Sequence, residues 1–377
     1  MRLRLPAARP GNGVALAREW IADSLEVQCS AGNLDGLLLH AERPEDYFGM
    51  LVAAVRLDLP TVCARPAGLP LFAALVGLGL VSGVNAPATT AVALVERDGP
   101  RSGELVDNFS LANALRAGLA AGGGPELLVH LAALAREAGV PGFDQMIRVL
   151  APETSEAPRG WLDEHGVPAL LSSLGDALHD VPTVTGNLRN NLPAASRPPE
   201  AHARLVFVKA RASGAEAVCR VSRGVAEVAG ECRVFGSEKD AVAAVRADGI
   251  GEGTMLVVGG CGPRGGPGLA RLDGLGRALR ESELGVPVLT DGLAPEDAGG
   301  TWISLFTPEA TMGGVIGLLR DGDPLRIDLT QGRIRAEIRA SELEGREPGG
   351  LPDPPETAYA ARYARTALPA LEGAGFD

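Results

Sequence analysis

Met255-Leu-Val-Val-Gly-Gly-Cys-Gly-Pro-Arg-Gly-Gly-Pro-Gly268 is the stretch on which the reading of the fold turns. Apolar β-formers run directly into a loop of glycines with two prolines, a composition that a helix interior rejects. The pattern predicts a buried strand opening into a concavity lined by backbone N–H groups, the kind that cradles carboxylates or phosphates. Val286-Pro-Val-Leu-Thr-Asp-Gly292 repeats the strand-to-turn pattern further on. Gly262, Gly265, Gly266 and Gly268 keep the loop shape. With Arg264 and Asp291 they form the candidate ligand-binding set for a small organic acid.

Working outward, Val14 to Gln28 has helical spacing, Leu34 to His40 and Pro60 to Ala64 read as strands, and Gly49 to Leu57 as an amphipathic helix. This strand–helix–strand rhythm predicts an α/β domain with a parallel sheet and covering helices over 1–190. Helices are also expected at Pro70 to Leu80, Leu111 to Leu119 and Glu126 to Ala138. The pattern dissolves into Asn, Pro, Ser and Ala, which sets a linker at 191–204. Over 205–377 short strands dominate, at Leu205 to Lys209, Ala217 to Val221, Val225 to Val228, Cys232 to Phe235, Leu256 to Val258, Val286 to Leu289, Gly314 to Leu319, Leu325 to Asp328 and Arg333 to Glu337. Helices are expected at Glu238 to Ala247, at Leu269 to Arg280 and at the end, from Thr357 to Leu371. This is the pattern of a β-rich, barrel-like domain with a terminal helix.

The 377 residues are enough for two domains with separate cores. A net charge of −12 argues against nucleic acid, which needs a basic footprint. The longest apolar stretches are broken by Pro and Gly and fall short of the ~20 residues of a membrane span. Met1-Arg-Leu-Arg-Leu-Pro6 lacks the apolar centre of a signal peptide, so the expected location is cytoplasmic. Cys29, Cys63, Cys219, Cys232 and Cys261 show no zinc-like spacing and are expected to be reduced.

Several blocks together resemble the dihydroxy-acid and sugar-acid dehydratase family. They include Ile21-Ala-Asp-Ser-Leu-Glu26, Leu34-Asp-Gly-Leu-Leu-Leu39, Gly49-Met-Leu-Val-Ala-Ala-Val-Arg56 and Val129-His-Leu-Ala-Ala-Leu134. Pro182-Thr-Val-Thr-Gly186, the glycine loop and Gly314-Val-Ile-Gly-Leu-Leu-Arg-Asp-Gly-Asp323 complete the set. The resemblance implies an N-terminal three-layer α/β domain, a C-terminal β-barrel and a homodimer. It also implies an active site between the domains that dehydrates a 2,3-dihydroxy or aldonic acid with an iron–sulfur cluster and Mg²⁺.

The ligand positions that the resemblance implies are changed. The family's first cluster cysteine falls before Met1, its Cys-Asp-Lys motif falls on Arg43-Pro44-Glu45, and its third cysteine falls between Ile147 and Trp161, where none occurs. The Mg²⁺-binding glutamate position is Cys261, and the serine base position is Pro295. The expectation is a shortened member with no Fe–S cluster and no resident metal.

Cys261 remains the leading catalytic candidate, since loop N–H groups can stabilise a thiolate; the alternative is a small buried filler. Glu45, Asp46, Glu296 and Asp297 are paired carboxylates suited to a divalent cation or acid–base work, or are solvated loop residues. His40 ends a strand, either as a general base or as a satisfied strand-end histidine. His130 reads as structural.

Three functions stay open: a cluster-independent lyase or isomerase for a small hydroxy or keto acid, a catalytically inactive paralogue that supports a partner protein, and an Fe–S dehydratase whose ligands a partner completes. The first predicts a closed polar pocket with Cys261 and Arg264 turned inward. The second predicts a filled or apolar former pocket and a large exposed apolar patch elsewhere.

Overall fold

The helices expected in the first part of the chain are present, although the one expected from Gly49 begins at Pro44, and those at Pro87–Glu96, Ser102–Leu105, Phe143–Glu153 and Arg159–Leu174 had no expected counterpart. The computed structural model describes residues 13–66, 68–81, 87–194, 197, 199–210, 213–264, 268–296, 298–349, 352 and 354–377. The chain divides into two units, Ala17–Arg204 and Leu205–Asp377, the second including residues 13–16. Among the described residues no helix is long and apolar enough to cross a membrane.

The first unit is mainly helical. In chain order it holds α1 (Val14–Ser30), β1 (Leu37–Leu39), α2 (Pro44–Leu57), β2 (Thr61–Cys63), α3 (Leu69–Gly77), α4 (Pro87–Glu96), α5 (Ser102–Leu105), α6 (Asn108–Ala120), α7 (Pro125–Glu137), α8 (Phe143–Glu153), α9 (Arg159–Leu174), β3 (Pro182–Thr183) and β4 (Gly186–Asn187). Helix α2 shows why these boundaries arise. Pro44 occupies the first turn, Glu45 and Asp46 complement the helix dipole, Arg56 lies in the last turn, and Asp58 ends the helix in the left-handed region. Among the described residues the parallel sheet of this unit consists of β1 and β2, in register Leu37↔Thr61 to Leu39↔Cys63, with an isolated bridge from Cys63 to Val81.

Beneath α1, α2 and α7 lies a polar core. Arg18, fully buried, donates to Glu19 Oε1 (2.9 and 2.8 Å) and faces His130 Nδ1 at 3.3 Å. An arginine only donates, so Nδ1 accepts and the proton sits on Nε2, 3.3 Å from Glu126 Oε1. The imidazole stacks on Phe48 with centroids 4.8 Å apart. Arg56 closes the network with a bidentate bond to Glu137 and ion pairs to Asp23 and Glu26.

The second unit is a closed barrel in the order β10–β6–β5–β12–β11–β7–β8–β9. Its strands are β5 (Ala203–Ala210), β6 (Ala215–Ser222), β7 (Glu227–Phe235), β8 (Thr254–Val258), β9 (Val288–Thr290), β10 (Trp302–Thr307), β11 (Pro324–Asp328) and β12 (Arg333–Ala336). Helices α10 (Glu238–Arg246) and α11 (Asp273–Glu281) cover β8 and β9, while α12 (Ala340–Glu344) and α13 (Ala358–Thr366) follow the barrel. Met255, Val257, Leu289, Ile303 and Phe306 help fill the interior, so the barrel is a packed core with no channel.

Three expectations are corrected. Gly314 to Leu319 is a short 3-10 turn (Val315–Leu318) and not a strand. Val228 and Cys232 to Phe235, expected in two strands, belong to one, β7, which starts at Glu227 and leaves Val225 outside, whereas β10 had no expected counterpart.

Burial lowers the His130 pKa below its usual value, opposed by Glu126 and Glu45 and reinforced by Arg18. As pH falls below ~6.5 the unfolded histidine takes a proton that the native one refuses, so stability drops by up to ~1.4 kcal/mol per pH unit. Urea unfolding followed from pH ~7.5 to ~5 is expected to show this slope in the wild type and a shallower one in His130→Gln. Equal slopes would mean the ring is protonated in the native state.

Candidate functional site

Strands β7, β8, β9 and β10 run parallel to one another, so their carboxyl ends open on one rim of the barrel. In open parallel sheets this is the end that presents ligand-binding loops. The glycine loop follows β8, Asp291 follows β9 and Glu309 follows β10.

Asp291 is 1% exposed and takes three backbone N–H groups: Gly260 at 3.0 Å and Ala310 at 2.9 Å on Oδ2, Cys261 at 2.8 Å on Oδ1. Burial pushes its pKa up, and the three N–H donors pull it back. It is therefore a staple joining three strand ends, and its oxygens are turned into the protein rather than toward a ligand.

Glu309 does the same one step further along. Both its oxygens accept the Arg264 N–H, at 3.2 and 2.9 Å. Its side chain lies against Gly262, where any Cβ would overlap Oε2. Gly262 is thus required by an internal carboxylate. At Gly268 (φ 74°) a Cβ would press on Leu16 and Tyr363. Leu269 and Leu305 are also left-handed (φ 68° and 55°), a strain of about 1–3 kcal/mol each. Their N–H groups bond Gly262 C=O (3.0 Å) and Gly292 C=O (2.9 Å), so the rim is held by many constraints at once.

Arg264 is tied down as well: Nε donates to the Ala367 carbonyl at 2.6 Å, and Nη1 lies 3.3 Å from Met312 Sδ. Cys261 packs into the apolar layer of Leu272, Leu275 and Val288. Burial raises its thiol pKa well above the ordinary range, and the charges of Asp291 and Glu238 push the same way. The N–H group expected to stabilise a thiolate is spent on Asp291 instead.

A family model for the C-terminal domain of dihydroxy-acid/6-phosphogluconate dehydratases matches residues 192–374. The dihydroxy-acid dehydratase of Pelobacter propionicus is 28% identical over 456 residues, covering 95% of this chain and 82% of the relative. That of Ignicoccus hospitalis is 31% identical over 363 residues, covering 87% of this chain and 64% of the relative. That of Sulfurisphaera tokodaii is 31% identical over 350 residues, with 84% and 61% covered.

The chain belongs to the dihydroxy-acid/6-phosphogluconate dehydratase family.

The alignment with the Pelobacter dehydratase is longer than this chain, so that relative carries internal residues without a counterpart here. At the positions that the family resemblance ties to metal ligation, Arg43 holds Asp46 (Nε–Oδ2 3.1 Å) and Glu45 (Nη1–Oε1 3.6 Å). Both carboxylates are buried in the first turn of α2, and burial raises the Asp46 pKa against the pull of Arg43. Pro295, at the serine-base position, packs on Gly276 of α11. His40 is exposed at the end of β1. Glu296 is exposed, 3.9 Å from Arg271. Gly265, Gly266 and Asp297 lie outside the described residues.

An iron–sulfur cluster needs thiolates drawn together. All five cysteines are buried free thiols, Cys219 and Cys232 within the barrel core, and burial raises each thiol, Cys219 and Cys232 up to about 12. Among the described residues no three His, Cys, Asp or Glu side chains converge to hold a metal ion.

The sequence reading missed Glu309 altogether. Its one signal was an acid between Pro308 and Ala310 directly after an apolar strand.

Replacing Asp291 by Ala leaves three buried N–H groups unmet at about 1–3 kcal/mol each, so a loss above ~3 kcal/mol is expected in urea unfolding, with Asp291→Asn in between. A ligand-facing Asp291 would leave the unfolding midpoint unchanged in both variants. Cys261 is expected to react with iodoacetamide at least ~100-fold more slowly in the native protein than in denaturant. Peptide mapping after timed labelling reads this directly, and labelling at the rate of a free thiol would contradict the buried placement.

Proposed function

We propose that this dehydratase-family protein works without the family's iron–sulfur cluster and serves as a binding or scaffold partner of another enzyme. The observation that carries this reading is the rim of the barrel. Asp291 takes the Gly260, Cys261 and Ala310 N–H groups and Glu309 takes that of Arg264, the Arg264 side chain is bound to a main-chain carbonyl, and Cys261 lies in an apolar core. Among the described residues, Asp291, Arg264 and Cys261 of the candidate set each have an internal task. In the first unit, by contrast, a large apolar cavity lies open.

A second reading keeps the protein as a hydro-lyase-like enzyme, acting on or binding a small hydroxy or keto acid with altered cofactor use. One observation favours it: Glu45 and Asp46 keep buried carboxylates at the end of and just after the stretch on which the family's Cys-Asp-Lys motif falls, and Arg43 beside them suits an organic anion. We place the protein in the cytoplasm, as a homodimer or in a complex with its partner.

Native mass spectrometry of untagged protein, purified anaerobically from its own host, is expected to show a stoichiometric complex with another protein. In parallel, 2-keto acid release from a panel of 2,3-dihydroxy and aldonic acids is expected to stay at background. Turnover by a homodimer holding an organic acid would replace the scaffold reading with the lyase. Iron and inorganic sulfide in the complex would revive cluster chemistry completed by a partner.

A further inference from the structure

The cavity in the first unit has a volume of about 1100 Å³. Every residue from Gly32 to His40 lines it. Side chains of a strand alternate between faces, so a cavity over one face would meet every second residue. Within that run β1 is Leu37–Leu39, and contact with all three of its residues means that the cavity runs along the edge of the strand. The hydrogen bonds agree: Leu37 N–H bonds Pro60 C=O (2.8 Å) and Ala64 N–H bonds Leu39 C=O (2.9 Å), so Leu37 and Leu39 face β2. The alternation turns Leu38 N–H and C=O to the opposite edge, onto the cavity.

The walls are helical. Met50, Ala53 and Leu57 of α2 form one, and Ala88, Val92 and Val95 of α4 form another. Both helices pack against β1. The space is therefore shaped as the next strand position of a helix-covered sheet. A strand of about five to seven residues, at ~3.3 Å rise, ~4.8 Å spacing and ~10 Å between layers, occupies roughly 800–1100 Å³.

We propose that this slot takes a β-strand from another protein: an extended, mainly apolar segment with basic residues at its ends. Exposed aliphatic side chains at Leu38 and Val92 supply the apolar contact. Asp35 and Glu96 put negative charge on the lining, which among the described residues contains no lysine or arginine. A second copy fits poorly, because its β1 arrives wrapped in its own helices and brings the same acids. Main-chain pairing gives affinity in such strand addition, and alternate side chains give selectivity. The identity of the donor rests on the partner reading above; the slot stands on its own geometry.

The probes are the capped peptide Lys-Val-Thr-Val-Thr-Val-Lys, its glutamate-ended counterpart, and a version with the central valine replaced by proline, all added to the full chain. Saturable binding of the first is expected by fluorescence anisotropy, about tenfold weaker for the other two. Hydrogen exchange is expected to slow over residues 36–40, and Val92→Lys to weaken the first peptide about tenfold without changing Tm. No binding, equal binding of all three, unchanged exchange at 36–40, or a tightly held small apolar molecule in the slot would overturn the proposal. A failed peptide beside an intact partner complex sinks the slot and leaves the scaffold reading. A bound peptide with no partner complex does the reverse.

Discussion

A carboxylate with nowhere to go but the backbone organises the barrel rim. Asp291 sits at the end of β9 with almost no solvent exposure, and a charge so placed is tolerable only if donors surround it. It gathers N–H groups from the turn after β8 and from the turn after β10. One side chain thereby fixes three neighbouring strand ends. The left-handed Leu269 and Leu305 on either side are strained positions that persist only because the surrounding bonds over-determine them. Glu309 repeats the device on the glycine loop. The N–H groups of Gly260, Cys261, Arg264 and Ala310 are engaged in this way, so these four point at internal carboxylates.

The first unit solves the opposite problem. Its charges are buried between helices, where an ion pair gains little net stability over an apolar core but removing one partner costs several kcal/mol. Arg18, Glu19, His130 and Glu126 therefore fix which faces of α1 and α7 meet, while Arg56 ties α1 and α2 to Glu137. With the helices locked through polar contacts, the short sheet need not complete itself to keep the layers in place. An open edge along β1 is compatible with a stable unit for that reason.

Elements with strong periodicity were legible in the sequence: α1, α7, α10 and β11 lie where spacing put them, while α2 begins at Pro44, ahead of the expected Gly49. Gly314 to Leu319 was not. Its apolar residues resemble a strand, but Gly313 is left-handed (φ 74°) and Gly314 packs directly on the Pro308 carbonyl, which forces a turn. The break expected between Val228 and Cys232 came from Gly230, which in β7 lets the backbone of Gly253 approach closely. At the rim, composition correctly indicated a loop lined by N–H groups after β8. It carried no information about which carboxylate those groups would meet. That depends on β10 lying beside β9, a neighbour relation that spacing along the chain does not encode.

The same limit explains Cys261. A thiol preceded by Gly-Gly and followed by Gly-Pro looks exposed to backbone dipoles, and dipoles lower a thiol pKa only when they point at the sulfur. Here the Cys261 N–H points at Asp291, while the sulfur turns the other way, 3.8 Å from the Gly259 carbonyl and among aliphatic side chains. Both the lost stabilisation and the nearby negative charge then act in one direction, toward the neutral thiol. A single buried aspartate thus holds the loop in shape and suppresses the reactivity of the residue at its centre. Gly262 and Gly268 leave room for Glu309 and for Leu16 with Tyr363, so the packing of the rim is by itself a sufficient reason for a glycine at each of the two.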